Sequence, residues 1–60
     1  MKFDYMMAVY KNGDRVVVEL KEPMDLVLCL RTEIEEKLAV LKTISFHYQG
    51  KVVMSMTFFA

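Results

Sequence analysis

His47 is the only histidine in the chain, and it stands between Phe46 and Tyr48. An imidazole titrates near neutrality, so it could serve as a general base or a pH-sensitive contact. A usable base needs positioned partners. The sequence places neither a nucleophile nor an orienting carboxylate beside it, so His47 is expected as a surface residue next to a turn. Cys29 is the only cysteine. Reactive thiols are exposed and lie near positive charge, whereas Cys29 sits among Leu26, Val27, Leu28 and Leu30. A packing role follows. Glu33, Glu35 and Glu36 could do acid–base work only in a sheltered pocket. With Arg31 and Lys37 one turn away, they read as a solvated helix face.

One Cys and one His do not make a metal site of the usual four-ligand kind. The two glycines are isolated, so no glycine-rich phosphate loop is present. No catalytic residue, cofactor or metal is therefore expected. Tyr5, Tyr10, Tyr48, Phe3, Phe46, Phe58 and Phe59 could form a sheet on which bases stack, but such surfaces also carry a positive groove. Lys plus Arg number 8 and Asp plus Glu number 8, so net charge gives no pull on phosphates. Nucleic-acid binding through an exposed sheet face is the alternative reading.

The elements that must position these residues are legible from spacing. Pro23 to Lys42 is the only segment long enough for a substantial helix. Pro23 suits a first helical position, Asp25 complements the dipole in the first turn, and Val27, Leu30, Ile34, Leu38 and Leu41 recur at helical spacing. A second reading makes residues 24–30 a strand and starts a shorter helix at Glu33, with Thr32 and Glu35 as a capping box. The run is rich in Leu and poor in β-branched residues, which favours the single helix.

Two hairpins flank it. Asn12-Gly13 is the favoured pair for a two-residue type I′ turn. That turn sets Val9 against Val16, Met7 against Val18 and Tyr5 against Leu20 as an apolar face. Met6, Ala8, Tyr10 and Val17 then fall on the outer face. After the helix, a three-residue loop Tyr48-Gln49-Gly50 with a left-handed Gly50 sets Phe46 against Val52 and Ile44 against Met54. A two-residue Gln-Gly turn would oppose Phe46 and Val53 and mix the faces.

The expected fold is one α+β domain over residues 1–60. It is a β-hairpin–helix–β-hairpin (ββαββ) with a mainly antiparallel four-stranded sheet and one helix packed on one face. A chain of 60 residues that is 55% hydrophobic is marginal alone, and it has no second cysteine for a staple. A second copy is the remaining support. The run Leu26–Leu30 is apolar all round the helix axis, which also asks for cover. The N-terminus lacks the long apolar run of a signal peptide, and no run approaches the ~20 residues of a membrane span. The function expected is an intracellular homodimer that binds another protein as a regulator, inhibitor or assembly factor. Its interface is expected at Met6, Ala8, Tyr10, Val17, Leu26 and Phe59.

Overall fold

A computed structural model describes residues 1–58. Strands β1 (Lys2–Tyr10), β2 (Arg15–Asp25), β3 (Leu41–Tyr48) and β4 (Lys51–Thr57) form one antiparallel sheet in the order β2-β1-β3-β4. A single helix, α1 (residues 26–37), connects β2 to β3. The fold is α+β, as the two hairpins and the helix between them require.

The helix is shorter than its hydrophobic periodicity. Pro23 and Met24 belong to β2, on the sheet edge, where a missing N–H breaks no ladder. Asp25 is the N-cap instead of a first-turn residue: its Oδ1 accepts from the Leu28 N–H at 3.0 Å. The segment opens as an α-helical turn, Leu26–Cys29, and loosens into a π-helical Leu30–Ile34. There the Glu35 N–H donates to the Leu30 carbonyl five residues back. Thr32 does not open a helix; its hydroxyl donates to the Leu28 carbonyl at 2.9 Å. The last turn, Glu35–Lys37, is a 3-10 helix. Leu41, assigned to the helix by spacing, is a buried residue of β3.

The Leu28 N–H holds the Asp25 carboxyl below its ordinary value of 3.8. A carboxyl with a lowered folded pKa stabilises the protein above its unfolded pKa, and that contribution is lost as pH falls through the folded value. Asp25→Asn keeps the capping oxygen but cannot titrate. Urea midpoints from pH 7 to pH 2 are expected to fall less steeply for Asp25→Asn than for the native chain.

Both turns differ from the expected types. In the first hairpin the loop is three residues, Lys11-Asn12-Gly13. Tyr10 N–H donates to the Asp14 carbonyl at 2.8 Å, Gly13 N–H donates to the Tyr10 carbonyl at 2.9 Å, and Gly13 takes φ 95°. Asn12 Oδ1 accepts from the Asp14 N–H at 2.9 Å. In the second hairpin the loop is two residues, Gln49 at φ 51° and Gly50 at φ 79°, the left-handed pair of a type I′ turn. The face conflict that argued against this turn is removed by a bulge. His47 pairs with Val52, but Phe46 pairs with Met54 and Ile44 with Met56. The extra residue, Val53, absorbs the shift.

The longer first loop slips the β1–β2 register by one residue. Ala8 pairs with Val16, Met6 with Val18 and Val9 with Arg15. A one-residue slip exchanges which side chains of β1 join those of β2. Met6, Ala8 and Tyr10 therefore lie under the helix with Val16 and Leu20, and Tyr5, Met7 and Val9 face away from it. Phe3 stays inside because the β1–β2 register shifts between Phe3 and Tyr5. The core is Phe3, Ala8, Leu26, Cys29, Ile34, Leu41, Ile44 and Phe46, with Phe3 edge-on to Phe46 at 4.9 Å.

Candidate binding face

The sheet side opposite α1 is built from three transverse rows. The pairings set Glu19, Tyr5, His47 and Val52 in one row, then Val17, Met7, Ser45 and Ser55, then Arg15, Val9, Thr43 and Thr57. Paired residues project to the same side of a sheet. Met7, Val17 and Val52 are 39%, 53% and 60% exposed. Tyr5, Val9, Thr43, Ser45 and His47 are half-buried by their neighbours. The face is an apolar strip of Val17, Met7, Tyr5 and Val9, with hydroxyls along one side and one charge of each sign on β2.

Two side-chain contacts order its middle. Tyr5 and His47 meet edge to face, with ring centres 5.0 Å apart. Ser45 Oγ lies 3.0 Å from His47 Nε2. This Ser–His contact comes from the i, i+2 spacing on a strand, which puts both on one face. A proton could pass between them, but a nucleophilic serine also needs a group that orients the base and donors for the oxyanion. Among the described residues no carboxylate is hydrogen-bonded to His47, and no metal-holding group of three or more His, Cys, Asp and Glu side chains occurs.

The six interface positions expected from sequence separate. Val17 is exposed on this face. Met6, Ala8 and Tyr10 are on the helix side because of the register slip, with Ala8 at 2% exposure. Leu26, at 1%, is sealed inside the subunit: its N–H donates to the Met1 carbonyl at 2.8 Å and its side chain joins the core. Phe59 lies outside the described residues. The apolar excess of the helix emerges instead at Val27 and Leu28, 50% and 56% exposed. Cys29 is buried, and burial, with Glu33 one turn on, pushes its thiol up.

Comparison with family models, curated proteins and solved structures returns no match. Among the described residues no helix is long and apolar enough to cross a membrane.

On the helix side, α1 leaves part of β2 uncovered. A cavity of about 270 Å³ opens there, lined by Val16, Val18, Leu20 and Met24 of β2 and by Cys29 and Ile34 of α1.

Proposed function

We propose that the chain is a small intracellular homodimer that holds another protein on the open face of its sheet and does no chemistry itself. The observation that carries this reading is the uncovered strip of Tyr5, Met7, Val9 and Val17, rimmed by Ser45, Thr43 and His47. Contiguous apolar surface with a polar rim is the composition of a protein interface. A protein partner fits better than a nucleic acid, because the three rows carry a single cation, Arg15, and a single anion, Glu19, so no run of cations crosses the face. The role is that of a regulator, inhibitor or assembly factor.

Immobilised native chain and the Met7→Asp variant test it side by side. The native chain is expected to retain a protein that Met7→Asp loses, with both sedimenting as the same oligomer. Equal retention by both would remove the face as the docking site. Retention of nucleic acid that weakens steeply with salt would favour the stacking alternative on Tyr5 and His47.

A further inference from the structure

The open edge of β2 carries a pattern that is complementary to itself. The Asp14 carbonyl accepts from β1, so along this unbulged stretch Val16 and Val18 also turn their backbone groups to β1. By alternation Arg15, Val17 and Glu19 turn theirs outward, at the open edge of the sheet. Their side chains all lie on the open face, and all three are exposed.

Now let a second copy approach in the antiparallel sense with Val17 on the two-fold axis. Val17 faces the partner's Val17, and each pair of outward residues can exchange two N–H···O=C bonds. Arg15 falls opposite Glu19 of the partner subunit, and Glu19 opposite the partner's Arg15. Within one strand these two charges are about 13 Å apart, too far to neutralise each other. Across the axis they become direct neighbours, and opposite charges there are favourable. The same register puts Val16 beside the partner's Val18 on the helix side, at the mouth of the cavity beside α1. An isologous pairing of this kind closes at two subunits.

We propose that a second copy of this chain pairs antiparallel along β2 about Val17, making one eight-stranded sheet. The pairing deepens the homodimer reading and rests on it. The β4 edge offers no such match: by alternation from the Phe58 N–H that donates to the Lys42 carbonyl, its outward residues include Ser55 and Thr57, which are uncharged.

Sedimentation of the full chain with charge-swapped variants tests the pairing. Arg15→Glu and Glu19→Arg each set like charges across the axis twice, and each is expected to weaken the dimer by about tenfold or more. The double swap restores opposite charges and is expected to recover native affinity. Val17→Pro removes an outward N–H without touching the β1 ladder and is expected to give monomer, whereas Ser55→Pro on β4 leaves the dimer intact. Native amides of Arg15, Val17 and Glu19 are expected to exchange slowly with deuterium, unlike those of a free edge. A dimer indifferent to the swaps, or a double swap that fails to restore it, overturns this geometry while leaving the homodimer standing. A monomer at millimolar concentration overturns both.

Discussion

Ala8→Asp is expected to leave no folded protein, while Met7→Asp, one residue earlier on the same strand, folds. Ala8 is 2% exposed beneath α1, and the core around it contains no buried polar or charged residue. A carboxylate there has no partner, and burying one unpaired costs several kcal/mol or forces protonation. Met7 projects to the open face between Val17 and Ser45. An Asp there keeps its hydration and costs about 1 kcal/mol through poor strand preference. Circular dichroism and urea unfolding of the two variants read the difference directly. Equal stability would mean that β1 is not seated in this register.

Phe46→Ala is expected to unfold the chain as well, for a different reason. Phe46 is fully buried. It lies on central strand β3 between Met6 and Met54, with Phe3 against its ring edge. Truncating a core Phe costs about 3–5 kcal/mol. Stability of roughly 0.05–0.15 kcal/mol per residue gives a domain of this size only about 3–9 kcal/mol in all. Phe46→Leu fills most of the space and is expected to fold with a loss of about 1.5 kcal/mol or less. A cooperative urea transition for Leu and none for Ala is the result to look for. A folded Phe46→Ala variant would mean that the core does not centre on this ring.

The hairpin–helix–hairpin order was readable because each element carries its own local signal. Asn12-Gly13 and Gln49-Gly50 mark two turns, and the leucines between them mark a helix. The choice of turn was not readable. Asn-Gly serves a two-residue turn and also a three-residue loop whose third residue is a left-handed glycine. Hydrophobic alternation could not decide, because both faces of β1 are apolar: Tyr5, Met7 and Val9 on one, Met6, Ala8 and Tyr10 on the other. Size is the hint that favours the observed face, since Ala8 is small enough to let a helix pass close above. The bulge at Val53 was hidden for a similar reason. Val52-Val53-Met54 is apolar throughout, so one extra residue leaves no break in the pattern. Pro23 at a first helical position puts Asp25 three positions too far into the helix, because an edge strand accepts proline equally well. Of the expected interface positions among the described residues, only Val17 lies on the open face, whereas the polar members of that face, Arg15, Glu19, Thr43, Ser45 and His47, are legible from strand alternation. The Ser45–His47 contact could have been found from its strand spacing alone.

The strand order has a consequence for how the molecule comes together. Each hairpin closes on neighbours in sequence, within microseconds for such short loops, yet two isolated strands do not persist in water. The seam that unites the halves is β1 against β3, where Tyr5 meets His47. That seam closes a chain segment of about 40 residues, an entropic toll levied before any of its contacts reward it. Folding should therefore be an encounter between two transient halves rather than growth from one end, with Ile44 and Phe46 as the residues that make the meeting last.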